Sequence, residues 1–268
     1  MNNTIGIAGL GWLGKAFAQH LQTLGYNIKG TVTQVEKASR LQKQGFNAYA
    51  VELSESGVTG SVAGFLKNLS VLAIMIPPGL RRNTGANYVL KMKYFLDKIS
   101  ESDIKKVILI SSTSVYDDSQ GEVSEKDIPI PTTEAAKQLF EVEQLYFNAP
   151  FINTSIVRFG GLFGGTRQPV RYLAGRKELS GGDAPVNLIH REDCIGILTQ
   201  IIQQDAFGHI FNGVIPEHPT KRDYYTKVAR QLNVEAPHYK KEEGEVFKKV
   251  DSIHLDLVLQ YHFKQGLL

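Results

Sequence analysis

Two short runs, VLAIMI at 71–76 and KVILIS at 106–111, are apolar without alternation. A strand with one wet face alternates at period two, whereas a strand covered on both faces does not. Runs of this kind therefore call for a parallel sheet with helices on each side. The rest of the chain supplies those helices. Strand-like segments at 4–8 (TIGIA), 26–33 (YNIKGTVT), 46–53 (FNAYAVEL), 152–158 (INTSIVR) and 208–212 are separated by helical ones. Leu13, Ala16, Phe17, Leu21 and Leu24 recur at helical spacing, and so do Tyr88, Val89, Met92, Phe95, Leu96 and Ile99. Further helices are expected at 34–44, 133–147, 191–204 and 221–232. Strand and helix alternate with no internal repeat, which predicts an α/β, doubly wound fold.

The 268 residues, 42% hydrophobic and 21% charged, allow one large domain or a domain plus a small lobe. A net charge of +3 with no basic run gives no reason to expect a nucleic-acid partner. The one cysteine, Cys194, forbids an internal disulfide and fits a reducing compartment. No apolar run approaches the roughly 20 residues that span a bilayer, and no secretory leader is legible at the start. A cytoplasmic protein without membrane attachment is expected.

GLGWLG at 9–14 follows the first strand and opens an amphipathic helix. That context turns a glycine pattern into a dinucleotide fingerprint and makes the α/β unit a Rossmann domain. Gly9 permits the tight turn, Gly11 lets a pyrophosphate approach the backbone, and Gly14 lets helix pack on strand, with Trp12 and Leu13 on the same turn. The domain is expected over 1–158, completed by about 186–213. Residues 159–268 then hold the remaining sheet elements and a small C-terminal substrate lobe. About twenty residues on, such folds place an acid on the adenosine ribose. This chain has TVTQ at 31–34 instead. Thr31 and Thr33 can donate to a 2′-phosphate, and Lys37 and Arg40 follow on a helix. The expected cofactor is therefore NADP rather than NAD, although Lys37 and Arg40 also read as an ordinary solvated face. Glu52 and Leu53 are placed at the adenine edge. Ile76, Pro77 and Pro78 are placed where the chain passes the nicotinamide ribose.

ILISSTSVYD (108–117), VRFGGLFG (157–164), VNLIHREDCIGIL (186–198), HIFNGVIPEHPT (209–220) and KKVDSIHLDLVLQYHF (248–263) together resemble the extended short-chain dehydrogenase/reductase family, the NAD-dependent epimerases and dehydratases. Each segment is loose, but they run in family order over nearly the whole chain. The resemblance implies NAD(P) binding and a Ser/Thr–Tyr–Lys catalytic set. It puts Ser112 at the Ser/Thr, with Ser111 beside it on the cofactor side, and Lys137 at the Lys, within PIPTTEAAKQLFEVE (129–143). The Tyr would then fall at Thr133, and no tyrosine occurs between Tyr116 and Tyr146. A phenol near pKa 10 can be tuned toward neutrality, whereas an aliphatic hydroxyl cannot. The pattern is similar to atypical bacterial members that lack the tyrosine. Tyr116 is the one candidate to replace it, against the plainer reading of a packing residue.

Asn187, His190 and Arg191 match a family segment at the edge of the substrate pocket. His190 suits acid/base work, or it caps the helix that follows. Arg176, with Arg167 and Arg171, lies around a glycine-rich loop and suits an anionic substrate, as do Arg81 and Arg82. The histidines lack metal-ligand spacing, GLFGG is not followed by the GK[ST] of a phosphate loop, and no GxSxG occurs. Two functions stand open. One is an atypical NADP-dependent oxidoreductase or epimerase on a small polar substrate. The other is an NADP-sensing protein that kept the fold and lost the chemistry. A hydroxyacid dehydrogenase of the 6-phosphogluconate type would need a long helical C-terminal domain, which INTSIVR and HIFNGV argue against. A homodimer is open on this reading.

Overall fold

The computed structural model describes residues 3–79, 85–241, 244 and 246–267. In chain order the elements are β1 (Thr4–Ala8), α1 (Trp12–Thr23), β2 (Asn27–Val32), α2 (Val35–Lys43), β3 (Asn47–Ser54), β4 (Gly57–Gly60), α3 (Val62–Leu66) and β5 (Val71–Ile74). Then come α4 (Tyr88–Ser100), β6 (Lys106–Ser112), β7 (Glu122–Val123), α5 (Glu134–Phe147), β8 (Asn153–Phe159), β9 (Gly161–Phe163) and α6 (Val170–Leu173). The chain ends with β10 (Leu188–His190), α7 (Arg191–Gln203), β11 (Ile210–Gly213), α8 (Lys221–Gln231), β12 (Lys249–Val250) and α9 (His254–Leu257).

The described residues form an eight-stranded sheet in the order β11-β8-β6-β5-β1-β2-β3-β4. From β3 through β2, β1 and β5 to β6 every pairing is parallel. Val71, Leu72, Ala73 and Ile74 are all buried, as are Val107, Ile108 and Leu109, so the apolar runs are covered on both faces. The winding reverses after β3, where the chain crosses to the far side of β1 to enter β5. The carboxyl ends of β1 and β5 thus flank the switch point where open α/β sheets bind ligands.

Two features depart from the sequence reading. β3 runs past the sheet edge: Val32 pairs with Ala50, and residues 51–54 continue as a hairpin with the antiparallel edge strand β4. The turn is closed by the Ser54 hydroxyl, which donates to the Gly57 carbonyl and accepts the Ser56 N–H. In addition β5 stops at Ile74, two residues earlier than expected.

The chain divides into two compact units. The first holds residues up to Ser111 together with 132–157 and 198–210. Its core is aromatic: Phe17, Phe65, Phe95 and Tyr146 are fully buried. Each such ring contributes about 2–3 kcal/mol by leaving water. The second unit holds 112–131, 158–197 and 211–268. It packs Phe163, Val170, Val186, Leu188, Tyr224 and Val228 in one apolar cluster, with small parallel ladders β9–β10 and β12–β7 beside it. The segment 112–131 lies in this unit.

Burial pushes several phenols up. Tyr88 and Tyr146 are raised by desolvation, Tyr224 is pushed up to about 12, and Tyr261 is raised by burial and by the Asp193 carboxylate. The folded chain therefore holds these phenols neutral, while the unfolded chain ionises them near pH 10. Their stabilisation is complete below about pH 10 and declines above it, Tyr224's share being spent by about 12. Absorbance at 295 nm should accordingly rise in two stages, the second coinciding with loss of near-ultraviolet dichroism. A single titration of all 11 tyrosines near pH 10 with the fold intact would contradict this.

Candidate functional site

In the first unit, the glycine loop sits between the ends of β1 and β5. Gly9 has φ +112°, and a Cβ there would stand 2.9 Å from the Met75 carbonyl oxygen. A Cβ on Gly14 would stand 2.1 Å from the Gly9 carbonyl oxygen, so the helix cannot approach its own loop with any larger residue. Gly11 is different. It has ordinary backbone angles and a Cβ there would meet nothing within 4 Å. Packing therefore forbids side chains at Gly9 and Gly14 but not at Gly11, where the space beside the backbone is open. Gly11 is also the N-cap of α1, which has no side-chain cap and no acid in its first turn. An uncapped, acid-free helix start offers N–H groups and the positive dipole end to an anion. The loop and helix fit a pyrophosphate, with Trp12 and Leu13 opening the helix.

Thr31 proves to be part of the loop's support. It is 5% exposed, its Oγ1 accepts the Gly9 N–H at 3.0 Å, and its carbonyl accepts the Leu10 N–H at 2.8 Å. Thr31 is thereby placed inside the glycine turn that it supports, whereas Thr33 lies at the surface. Thr33 is exposed at the end of β2, Lys37 is half-buried and Arg40 exposed. Lys37 and Arg40 lie three residues apart on α2, so they share a face. Neither side chain has a hydrogen bond or ion pair to another described residue. Glu36 is the one acid in the first turn of α2. Glu52 and Leu53 lie on the β3–β4 hairpin, two and three residues past the register partner of Val32, with Glu52 opposite Thr59. Ile76 accepts a hydrogen bond from the Tyr88 hydroxyl on its carbonyl, and Pro77 and Pro78 continue the chain from there.

The catalytic candidates of the first unit are reassigned by their contacts. Thr133 is the N-cap of α5, its hydroxyl accepting the Ala136 N–H at 3.2 Å. It is a helix cap, not a replacement acid. Ser111 is buried and donates to Glu143, which is 1% exposed on α5, so Ser111 ties strand to helix. The buried face of α5 carries Ala136, Leu139, Val142, Glu143 and Tyr146. Lys137 is six residues from Glu143, about 120° round the helix, and stands exposed. The family ammonium has to lie against the reacting groups to tune them, and the Lys137 side chain has no hydrogen-bond or ion-pair partner among the described residues.

In the second unit, Ser112 is half-buried and its hydroxyl accepts the Ser114 N–H at 3.2 Å. Tyr116 is fully buried. Its hydroxyl donates to the Ser124 carbonyl at 2.8 Å and accepts from Arg158 Nη1 at 2.7 Å, while the guanidinium lies 5.0 Å from its ring centroid. Burial raises the phenol's pKa and the Arg158 charge only partly offsets it. These contacts fit the plainer expectation for Tyr116, a packing residue. Asn187 spends both ends of its amide on the C-terminal strand, donating to the Lys248 carbonyl at 3.0 Å and accepting the Val250 N–H at 2.9 Å. His190 lies edge-on to Phe163, and its Nδ1 accepts the Glu192 N–H at 3.3 Å, which assigns its proton to Nε2. Burial lowers its pKa. Arg191 pairs with Glu192 at 3.1 Å, and Arg176 is exposed. Arg81 and Arg82 lie outside the described residues.

Sequence reasoning missed the groups that organise this unit. Glu125 accepts hydrogen bonds from the Asn212 N–H, the Ser252 hydroxyl and the Ile253 N–H at 2.8, 2.6 and 2.8 Å. Asp193 is fully buried and accepts from the Tyr261 hydroxyl and the Lys264 N–H, both at 2.8 Å. Lys248 donates to the Tyr116 carbonyl at 2.6 Å and pairs with Asp118 at 3.2 Å. The available signal was Arg158, a lone cation within the strand NTSIVRF. Among the described residues no group of three or more His, Cys, Asp or Glu is arranged to hold a metal, and no helix is long and apolar enough to cross a membrane.

No family model matches the chain. Protein YeeZ of Escherichia coli strain K12 is 33% identical over 238 residues, 88% of this chain and 86% of the relative. The chain belongs to the YeeZ family. Solved structures place the fold of this YeeZ-family chain more widely. UDP-glucuronic acid 4-epimerase from Bacillus cereus, in complex with UDP-glucuronic acid and NAD, matches at a TM-score of 0.79 and 19% identity, over 98% of this chain and 95% of that one. A short-chain dehydrogenase/reductase superfamily protein from Agrobacterium tumefaciens with bound NAD matches at 0.75 and 14%, over 98% and 93%. The YeeZ-family chain has the Rossmann fold of the epimerases and short-chain dehydrogenases.

Proposed function

We propose that this YeeZ-family chain binds a nicotinamide dinucleotide on the glycine loop of its first unit, takes NADP in preference to NAD, and acts as an oxidoreductase or epimerase on a small polar substrate. The observation that carries the reading is Gly11, whose Cβ position meets no protein atom while both flanking fingerprint glycines are forced by packing. NAD accompanies the fold neighbours from Bacillus cereus and Agrobacterium tumefaciens. The preference for NADP rests on the missing ribose acid in TVTQ and on Lys37 and Arg40, which share one face of α2 with no ion-pair partner among the described residues. When bound, the dinucleotide supplies hydride exchange. Among the family's catalytic positions Ser112 is the remaining side chain suited to orienting a substrate oxygen.

A second reading is favoured by the contacts of three acid/base candidates. Thr133 caps a helix, Lys137 faces solvent, and the Tyr116 phenol is enclosed. On that reading the chain holds NADP and reports its level. Replacing Lys37 and Arg40 together by Glu should weaken NADPH binding about 10- to 100-fold and leave NADH within a factor of about three. Equal loss for both nucleotides would remove the NADP assignment. A turnover screen over carbonyl and sugar-phosphate compounds separates the two readings. Turnover that falls in Ser112→Ala removes the sensor, and tight NADPH binding with no turnover removes the enzyme.

A further inference from the structure

Three backbone N–H groups of the glycine loop are spent inside the first unit. Gly9 donates to Thr31 Oγ1 at 3.0 Å, Leu10 to the Thr31 carbonyl at 2.8 Å and Gly11 to the Gly9 carbonyl at 2.8 Å. Two of the three bonds therefore end on one buried residue of β2. The neighbouring residue seats the loop as well. A Cβ on Gly30 would stand 2.5 Å from the Leu10 side chain, so Leu10 packs on the strand only because residue 30 has none. On its other side Gly9 is bounded by the Met75 carbonyl. The first helical bond of α1 runs from the Lys15 N–H to the Gly11 carbonyl at 3.0 Å, so Leu13 and Gly14 open the helix with no intrahelical acceptor.

We propose that Thr31 is a positioning residue for the dinucleotide. Its hydroxyl turns the Gly9 N–H into the fold, and the turn so fixed aims the Leu13 and Gly14 N–H groups at the pyrophosphate. The inference rests on the reading of the glycine loop as the dinucleotide site. It carries a consequence that separates it from a direct contact. The pyrophosphate is common to NADPH and NADH, so a residue that acts through the turn moves both affinities together. A residue that touches the 2′-phosphate moves NADPH alone. The Thr31 hydroxyl accepts from Gly9 and keeps one proton of its own, which a 2′-phosphate contact would use. The two roles therefore part by nucleotide.

The test is titration of NADPH and NADH into Thr31→Val, Thr31→Ser and Thr154→Val of the intact chain. Thr31→Val removes the oxygen at nearly constant volume and leaves the Gly9 N–H unmatched, so both affinities should fall, each by about tenfold. Thr31→Ser keeps the oxygen and should recover most of both. Thr154 is the matched control: it lies in the same unit, is buried, and its hydroxyl joins β8 to α5 by donating to the Tyr146 carbonyl at 3.0 Å. Thr154→Val should melt lower and bind both nucleotides as the parent does. Amide exchange in the parent adds a readout that needs no variant and decides the matter if Thr31→Val does not fold. Gly9 and Leu10 should be protected with and without NADPH, whereas Leu13 and Gly14 should gain protection when it is added. Loss of NADPH binding alone in Thr31→Val would overturn the proposal in favour of a 2′-phosphate contact. Unchanged affinities in Thr31→Val, an equal loss in Thr154→Val, or a Gly9 amide that exchanges freely in the parent would also overturn it. A parent that binds neither nucleotide would remove the dinucleotide reading itself, and the proposal with it.

Discussion

Gly11→Ala should remove most dinucleotide binding while leaving the melting midpoint within about 1 °C of the parent. Gly11 has φ −85°, open to any residue, and a Cβ there touches no protein atom, so the fold has no reason to resist the methyl. A pyrophosphate lying against the backbone does. Intrusion of one methyl into a close contact costs about 1–3 kcal/mol, which is roughly 10- to 100-fold in affinity. Gly14→Ala is the control with the opposite signature. Its Cβ would fall 2.1 Å from the Gly9 carbonyl oxygen, so helix and loop must part and stability should drop by about 2–4 kcal/mol. Titration and thermal melting of the two variants side by side check both halves. If Gly11→Ala melts as the parent does and still binds as tightly, the loop is not the dinucleotide site.

Glu125→Ala should be among the most destabilising single changes outside the apolar core. The carboxylate is 9% exposed and satisfies two backbone N–H groups and one hydroxyl drawn from residues 212, 252 and 253. Removing it leaves one buried and two half-buried donors unmatched, at about 1–3 kcal/mol each before relaxation. A net loss of roughly 3–5 kcal/mol corresponds to a fall of about 10 °C in the midpoint for a chain of this size. Glu125→Gln keeps one carbonyl oxygen but sets an amide N–H₂ against a donor, so it should recover only part of the loss. The measurement is thermal and urea unfolding of both variants. An alanine variant within about 1 kcal/mol of the parent would mean that water replaces the carboxylate and that the network organises nothing.

The sheet could be read from the sequence because burial on both faces leaves a one-dimensional trace. VLAIMI and VILI have no polar residue to place on a wet side, and the structure buries Val71 to Ile74 and Val107 to Leu109. The β3–β4 hairpin left no such trace, since Glu52 and Ser54 alternate as any exposed strand or loop does, and its closure depends on the Ser54 hydroxyl. For the site, glycine spacing was visible but the reason for each glycine was not. Only geometry separates Gly9 and Gly14, which packing requires, from Gly11, which it does not. Thr31 shows the same limit. Its hydroxyl was legible, but the direction of that hydroxyl depends on where the Gly9 N–H lies. Lys137 was placed by counting from a family pattern, whereas the phase of α5 is set by the burial of Glu143, a property that no local pattern announces. Arg158 and Glu125 come from segments 33 residues apart in sequence, and their roles depend on long-range contacts that periodicity does not carry.

The central claim is a dinucleotide site at the start of α1 with a preference for the 2′-phosphate. The sole tryptophan, Trp12, is the first residue of that helix and serves as the probe. Titrating the chain with NADPH and with NADH, and following energy transfer from Trp12 to the reduced nicotinamide ring system, measures both parts at once. The account predicts saturable transfer with NADPH at least about tenfold tighter than NADH. Equal or tighter binding of NADH would contradict the preference, and no saturable signal with either nucleotide would contradict the site.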